Sequence, residues 1–274
     1  MTVFLRLALF QLNANNLNDP SNGFIFNDFS LFKYGDKEVT KQYGNAIADL
    51  LVENGVDSNS DTSFAISGSA FREVPVAATY LTAEIARICK EREVPMKMFK
   101  IERKAVSIGD YSKMGANERE ATMASTQLKI KKSDIEGRDV IIVDDIYITG
   151  GHEKKLRDTL EIAGAERVIF VYIAKVNDAA SNPALESTLN ASKVKTWEDW
   201  FEIEKCDPYV NVRYLRFLLK IDSSKYGEII SEIKIKCHFY VKLIEADKLD
   251  EQTEYADNFQ IFKKTCQDQS PVKV

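Results

Sequence analysis

The order of hydrophobic and polar residues along the chain predicts short buried strands that alternate with amphipathic helices. Apolar residues recur at helical spacing over residues 38–53, and a second helix is expected over residues 74–91. A third helix is predicted over residues 153–163, where Gly164 ends it. Apolar runs predict strands, or for the first run a strand or buried segment, at residues 3–10, 64–66, 96–101, 139–143 and 167–175.

This alternation indicates the α/β class, with a parallel sheet that is flanked by helices on both faces. Ligands of such sheets bind at the carboxyl ends of the strands. After about residue 177 the pattern changes, because aromatic residues alternate with Lys and Glu at mainly helical spacing. We therefore predict an N-terminal segment at residues 1–60, a core at residues 61–177 and a mostly helical C-terminal extension at residues 178–274.

Composition excludes several classes of protein. With 274 residues, of which 45% are hydrophobic and 29% charged, the chain is not collagen-like, mucin-like or wholly disordered. Its net charge of −5 predicts no general attraction to nucleic acid or to an anionic membrane. No stretch approaches the length of a membrane span, and the apolar start contains Arg6 and lacks a signal-peptide cleavage site. We expect a soluble, cytoplasmic protein.

The cysteines and histidines argue against a zinc site. The four cysteines are far apart in the sequence: Cys89, Cys206, Cys237 and Cys266. They form no CxxC pair, and the only histidines are His152 and His238. We expect four free thiols, as is usual in a reducing compartment.

The strongest functional signal is the segment VIIVDDIYITGGHE at residues 140–153. Four apolar strand residues lead to Asp144 and Asp145, and a loop with Thr149 and two glycines then opens a helix. Backbone N–H groups in such a loop favour a phosphate, as does the helix N-terminus. The carboxylates would repel a phosphate and instead suit sugar hydroxyls or Mg²⁺. The pattern predicts a sugar phosphate with free diol hydroxyls; the alternative, a strand–turn–helix without a ligand, explains fewer of these residues.

This segment resembles the phosphoribosyl pyrophosphate (PRPP) motif of the type I phosphoribosyltransferases. The resemblance implies that fold, with residues 1–60 forming a hood, and it implies that Asp144 and Asp145 bind the ribose 2- and 3-hydroxyls. It also implies a 5-phosphate site formed by Ile148, Thr149, Gly150, Gly151 and His152. The family pattern ends in Thr or Ser where this chain has His152, so that hydroxyl contact is not carried over. The Ile-Thr-Gly-x-His-Glu variant is similar to a divergent branch of the superfamily.

A second segment, GSAFREVP at residues 68–75, is similar to the pyrophosphate loop of orotate phosphoribosyltransferases. Arg72 stands at the basic position of that loop, and the small residues allow the backbone to approach a pyrophosphate. The resemblance implies substrate binding by Ser67, Gly68, Ser69, Ala70, Phe71 and Arg72. A plain strand-to-helix turn explains this loop equally well when it is taken alone.

A third segment, residues 97–132, carries nine Lys or Arg against four Asp or Glu. Its Arg-Lys pair is similar to the pair that opens the mobile catalytic loop of orotate phosphoribosyltransferases. The resemblance implies catalytic contacts by Arg103 and Lys104, and Lys100 is a candidate substrate contact beside them. Lys113 or Arg119, in the loop that follows, is a candidate to replace the family's next basic residues. The family's next Lys and His are replaced by Ser107 and Gly109 in this chain. A solvated basic surface is the alternative interpretation.

The resemblance implies a Mg²⁺-dependent transfer of 5-phosphoribosyl from PRPP to an acceptor, with release of pyrophosphate. Mg²⁺ would be bound mainly through PRPP, with Asp144 and Asp145 as candidate protein ligands. Such a reaction needs positioning and charge stabilisation instead of a protein nucleophile. A homodimer is a further expectation from the relatives.

Three questions stay open in the sequence. The acceptor is a nucleobase, or it is a glycan or another hydroxyl compound. Trp197 and Trp200 are candidates for stacking on the acceptor, although core packing is the favoured interpretation of both. Glu73, His152 and Glu153 are candidate acids or bases. The alternative function is a non-catalytic PRPP-binding regulatory protein, which has no need of the basic side chains described above.

Overall fold

The computed structural model describes residues 2–13, 20–57, 63–103, 127–177 and 185–269. Their strands are β1 (Val3–Leu12), β2 (Phe64–Gly68), β3 (Met96–Met98), β4 (Glu102–Arg103), β5 (Leu128–Lys129), β6 (Asp139–Tyr147) and β7 (Arg167–Val176). Five of these strands form one parallel sheet in the order β1-β7-β6-β2-β3. The other two, β4 and β5, form a separate antiparallel pair.

The described residues form eleven helices. In chain order they are α1 (Phe26–Lys33), α2 (Lys37–Glu53), α3 (Ala77–Glu91), α4 (Lys132–Ile135), α5 (Gly151–Ile162), α6 (Leu185–Asn190), α7 (Trp197–Lys205), α8 (Val212–Leu218), α9 (Tyr226–Glu232), α10 (Lys234–Ala246) and α11 (Ala256–Asp268). None of these helices combines the length and the apolar character that crossing a bilayer requires.

The central strands are buried on both faces, which confirms the predicted parallel α/β architecture. Ile141 and Val143 of β6 belong to the hydrophobic core that contains α2 and α3. The alternate residues Val140 and Ile142 belong to a second core that contains Leu156 of α5. Because successive side chains of a strand point to opposite faces, this two-sided burial requires the continuous apolar run seen in the sequence.

Strand β6 is longer than predicted. The apolar run ends at Val143, yet pairing with β7 continues to Tyr147, which lies opposite Lys175. Asp144 and Asp145 therefore lie within the ladder, although the sequence places them just after the strand. The backbone of a carboxylate-bearing residue can pair as well as any other, so polarity of the side chains does not mark the end of a strand.

The C-terminal helices build a third hydrophobic core around buried aromatic residues. Trp200 is fully buried there and its indole N–H donates to the carbonyl of Tyr214 at 3.3 Å. Trp197 packs at the margin of this core against Phe201. Neither tryptophan lines the cleft described below, so the favoured interpretation as core residues is confirmed for Trp200.

The prediction of four free thiols is wrong for one pair. Cys237 of α10 and Cys266 of α11 form a disulfide, with Cα atoms 6.0 Å apart. Both residues are buried in the core shared by the two helices, which brings together positions 29 residues apart in sequence. Cys89 and Cys206 are free.

The C-terminal helices dock on the turn after α1 and on the first part of α3. Gly35 has φ +92° and accepts a 2.9 Å hydrogen bond at its carbonyl from the N–H of Tyr209. The ring of Tyr209 stacks on that of Tyr80 with centroids 4.6 Å apart. Tyr34 makes a T-shaped contact with Phe217 at 5.5 Å. These contacts hold the C-terminal helices above the carboxyl edge of the sheet.

We predict that Gly35→Ala weakens this docking. A Cβ at Gly35 would lie 2.1 Å from the carbonyl oxygen of Tyr209, and the left-handed backbone adds strain. Gly55→Ala is the matched control, since Gly55 has φ +83° and nothing within 4 Å of its Cβ position. Chemical denaturation should show a loss of about 1 kcal/mol for the control and roughly 3 kcal/mol for Gly35→Ala. Equal losses would contradict the close approach of Tyr209.

Candidate functional site

Two adjacent strands bring the first two predicted motifs together. Gly68 at the end of β2 is paired with Val143 of β6, so the residues that follow each of them meet at one edge of the sheet. There the hydroxyl of Ser69 donates to Oδ1 of Asp144 at 2.5 Å. The chain continues from β2 to β3 on one side and from β6 to β7 on the other, and open α/β sheets bind ligands at such a divergence.

A cleft of about 280 Å³ opens at this edge. It is lined by these predicted site residues: Ser69, Ala70, Phe71, Arg72, Arg103, Asp144, Asp145 and His152. A smaller cavity of about 50 Å³ adjoins it and is lined by Ile148, Thr149, Gly150 and Gly151, together with Asp144 and His152. The cleft and the cavity therefore share a carboxylate and an imidazole, so one ligand can reach into both.

Three predicted site residues lie outside both cavities, and three lie outside the described residues. Ser67 is buried within β2. Gly68, at the end of that strand, packs against α3, where an added Cβ would lie 2.9 Å from the carbonyl oxygen of Ala78. The Lys100 ammonium donates to the carbonyl of Arg72 at 2.8 Å and so supports the loop from behind. The remaining candidates are Lys104, Lys113 and Arg119, whose positions the structure does not describe.

Asp144 is held in an ion pair with His152. Nδ1 of His152 lies 2.8 Å from Oδ2 of Asp144, while Oδ1 accepts from Ser69 and from the N–H of Asp145 at 2.9 Å. Burial opposes the charge on Asp144, but these donors and the imidazole hold its pKa below the ordinary value. Burial also opposes the charge on His152, and Asp144 outweighs it, so the pKa of His152 is raised.

Asp145 is paired with Lys33, a residue that the sequence analysis missed. The Lys33 ammonium forms an ion pair with Oδ2 of Asp145, and Oδ1 accepts from the N–H of Ile146 at 2.7 Å. Lys33 lies at the end of α1 and is buried, and it lines the cleft. A lysine in a Phe-Lys-Tyr-Gly turn offers no local sign that it will reach a carboxylate 112 residues away.

The loop after β6 leaves the start of α5 open to a ligand. Gly150 is the residue before the helix and has φ +75°, with no side-chain cap hydrogen bond at this terminus. The backbone N–H groups in the first turn, including those of Gly151 and His152, have no partner within the helix. They attract a negative charge, which the helix dipole stabilises further.

Glu153 anchors the helix and does not face the cleft. It is buried, and its carboxylate accepts from Arg6 at 2.7 Å, from Arg157 at 2.6 Å and from the hydroxyl of Tyr172 at 2.9 Å. Burial opposes its charge, but these donors outweigh burial and lower its pKa. Glu73, another candidate acid or base, is exposed. Neither glutamate lines the larger cleft, but Glu153 lines the smaller cavity.

The loop after β2 is braced by β4. Phe71 forms an isolated bridge with Glu102, and its carbonyl accepts from the N–H of Arg103 at 3.2 Å. Arg103 and Arg72 are thereby held on the same side of the cleft. Nη1 of Arg72 is buried and has no hydrogen-bond partner among the described residues. A buried donor without a partner is suited to bind an anion.

The C-terminal helices supply a basic wall that the sequence analysis also missed. The cleft is lined by Arg213 and Arg216 of α8 and by Lys220, which lies two residues after the end of that helix. Spacings of three and four residues place them along one face of a helix. The intervening Leu215 and Leu218 are fully buried, so an amphipathic pattern was available as a signal.

The cleft is basic although the whole chain is acidic. Among the described residues, six basic side chains line it: Lys33, Arg72, Arg103, Arg213, Arg216 and Lys220. Four acidic side chains do so: Asp144, Asp145, Glu186 and Asp247. An anionic ligand is therefore favoured, with a separate acidic patch for hydroxyl groups.

The described residues do not form a metal site of their own. No three His, Cys, Asp or Glu side chains within these ranges converge on one point. Two adjacent carboxylates are the kind of donor that Mg²⁺ accepts when the phosphates of a substrate provide further ligands.

Comparisons with known proteins extend over most of the chain. A family model described as PRTase ComF-like matches residues 3–262. No curated protein sequence matches the chain. Among solved structures, the chain is similar to hypoxanthine phosphoribosyltransferase from Trypanosoma cruzi, with 16% identity and a TM-score of 0.33 over 56% of this chain and 80% of that one. It is also similar to adenine phosphoribosyltransferase from Saccharomyces cerevisiae, with 14% identity and a TM-score of 0.36 over 58% and 76% of the two chains.

We predict that the pKa of His152 depends on Asp144. In the unaltered protein His152 should titrate above its ordinary value of about 6.5, and in Asp144→Asn it should titrate below that value because burial and Arg103 then dominate. Proton NMR resolves the two histidine rings, and His238 provides an internal reference. An unchanged midpoint for His152 would contradict the ion pair.

The same pair predicts how stability depends on pH. The raised pKa of His152 contributes to the free energy of unfolding. This contribution is complete below about pH 6.5 and is lost as pH rises through the raised value. The lowered pKa of Asp144 also contributes to the free energy of unfolding. This contribution is present above about pH 3.8 and is lost as pH falls through the lowered value. Denaturation at several pH values should show that Asp144→Asn lowers the free energy of unfolding most between these two pH limits.

Proposed function

The chain belongs to the PRTase ComF-like family of phosphoribosyltransferases, and we propose that it transfers the 5-phosphoribosyl group of PRPP to an acceptor with release of pyrophosphate. Membership confirms the resemblance drawn from residues 140–153. The observation that carries the proposal is the position of Asp144 and Asp145 beside the open helix start at Gly150 and Gly151. A diol and a phosphate carried by one small molecule suit that arrangement.

The carboxylates can accept sugar hydroxyls without losing their partners. Each carboxylate has about four acceptor positions. Asp144 accepts from Ser69, His152 and one backbone N–H, and Asp145 accepts from Lys33 and one backbone N–H. The ribose 2- and 3-hydroxyls are proposed to take the remaining positions, because the ion pairs hold both carboxylates in fixed orientations.

The two phosphate-bearing ends of PRPP are proposed to occupy different parts of the site. The 5-phosphate lies on the backbone N–H groups at the start of α5, in the smaller cavity. The pyrophosphate lies in the larger cleft near Arg72 and Arg103. The buried and unpartnered Nη1 of Arg72 supports this orientation.

In the proposed reaction an acceptor atom forms a bond to C1 as the bond from C1 to the pyrophosphate oxygen breaks, with inversion at C1. The bonding electrons leave with pyrophosphate, and the proton that the acceptor loses passes to the released pyrophosphate or to solvent. Positive charge develops on the ribose ring. Asp144 and Asp145 are proposed to stabilise that charge, and the arginines to stabilise the leaving pyrophosphate. The C-terminal helices cover the cleft and limit the water that would otherwise capture the sugar.

Mg²⁺ fits this site as a companion of the substrate. When bound, it would neutralise charge on the pyrophosphate group, with Asp144 or Asp145 as the protein carboxylates within the cleft. The acceptor is proposed to be a nucleobase or a glycan or other hydroxyl. Homodimer formation and a cytoplasmic location stay predictions.

We predict that Asp144→Asn/Asp145→Asn abolishes PRPP binding. Loss of both charges removes the acceptors for the diol, and affinity should fall by at least a hundredfold. Isothermal calorimetry with Mg²⁺ measures this directly. Asp139→Asn is the matched control, since Asp139 begins the same strand and is paired with Arg167 away from the cleft.

The same protein should release pyrophosphate when incubated with PRPP and pools of nucleobases or glycans. Acceptor-dependent release would support the transferase and identify the acceptor class. Tight PRPP binding without release from any pool would favour a PRPP-binding regulatory protein. Absence of PRPP binding by the unaltered protein would overturn the proposal.

A separate prediction concerns the phosphate loop. Gly150→Ala should weaken binding of ribose 5-phosphate, because its Cβ would lie 2.6 Å from the hydroxyl of Tyr147 in a left-handed backbone. Gly137→Ala is the matched control, since Gly137 also has a left-handed backbone (φ +68°), has nothing within 4 Å of its Cβ position and lines neither cavity. Calorimetry should show roughly a tenfold or greater loss for Gly150→Ala only. Equal affinities of the two variants would place the 5-phosphate elsewhere.

A further inference from the structure

The C-terminal helices bring an arginine into the cleft that the proposed function leaves without a role. Arg216 on α8 and Arg72 on the loop after β2 both line the cleft. They come from different parts of the chain, 144 residues apart, and approach the cleft from different walls. The physical question is what ligand group Arg216 faces in a cleft that Arg72 and Arg103 already line from the sheet side.

Asp247 connects the two walls. It follows α10, lines the same cleft, and its Oδ1 accepts 3.2 Å hydrogen bonds from the backbone N–H groups of Glu73 and Val74. These residues directly follow Arg72 in the loop. A side chain of the C-terminal helices therefore holds the backbone next to Arg72.

The positive charges of Arg216 and Arg72 both act on the Asp247 carboxylate. Burial raises the pKa of Asp247, and among the groups that counteract this are the two backbone N–H donors and the positive charges of Arg216 and Arg72. Asp247 is half-buried, and it lines the same cleft as both arginines. Over its described lining the cleft carries six basic and four acidic side chains, so positive charge predominates around these residues.

We propose that Arg216 binds the pyrophosphate group of the substrate opposite Arg72, and that Asp247 is the positioning residue that sets the distance between them. The inference rests on the proposed function and adds a residue from the C-terminal helices to it. A guanidinium group from the C-terminal helices, added to Arg72 and Arg103, allows both phosphates of a pyrophosphate to be contacted from more than one side of the cleft. The leaving group gains charge as the C1–O bond breaks, so the same contacts strengthen during the reaction.

The experiment compares two ligands that differ only in the pyrophosphate. PRPP and ribose 5-phosphate are titrated by calorimetry in Mg²⁺ against the full chain and against Arg216→Gln. We expect the variant to bind PRPP roughly ten- to a hundredfold more weakly and to bind ribose 5-phosphate as the unaltered protein does. The control is Arg92→Gln, since Arg92 is exposed, is paired with Asp49 and does not line the cleft.

Asp247→Asn provides a second and independent variant. It keeps an oxygen that can accept from the loop but removes the charge between the arginines, so PRPP affinity should fall less than in Arg216→Gln. A double-mutant cycle of Arg72→Gln and Arg216→Gln should show coupling, since both contact the same group. Thermal unfolding of each variant verifies that the fold is retained.

The outcomes separate this inference from the proposed function. If the unaltered protein binds neither ligand, the proposed function fails. If it binds PRPP and Arg216→Gln binds PRPP equally well, the proposed function stands and the role of Arg216 is overturned. A variant that keeps PRPP affinity but raises the KM of the acceptor would also overturn it, because Arg216 would then face the acceptor.

Discussion

The pairing of β2 with β6 is the constraint on which the site depends. It brings the loop that carries Ser69 and Arg72 next to the carboxylates of Asp144 and Asp145, although the two segments are far apart in the sequence. Burial of β6 on both faces fixes the register, since a shift by one residue would exchange the residues packed against α3 and α5. Such a shift would also separate Asp144 from Ser69 and Asp145 from Lys33.

The C-terminal helices complete the site that the sheet begins. They dock through Gly35 and the stacked tyrosines, and they reach the loop after β2 through Asp247. Without them the cleft would be open to water above the carboxyl edge of the sheet. Their basic face also explains how a chain with a net charge of −5 presents a positive cleft. The acidic residues that balance it lie elsewhere on the surface.

Local features of the sequence predicted the fold better than they predicted the site. Helix α2 and strand β7 were expected within two residues of their observed ends, because their apolar periodicity is uninterrupted. The site depends instead on long-range contacts. Lys33 reaches Asp145 only because α1 packs against the sheet, and no local pattern encodes that approach. The disulfide between Cys237 and Cys266 was missed for the same reason.

The most direct test of the account is a structure of the protein with PRPP and Mg²⁺. The account predicts that the ribose hydroxyls lie within hydrogen-bond distance of Asp144 and Asp145, with the 5-phosphate at the start of α5 and the pyrophosphate beside Arg72. PRPP bound in the reverse orientation, or at another place on the chain, would contradict it.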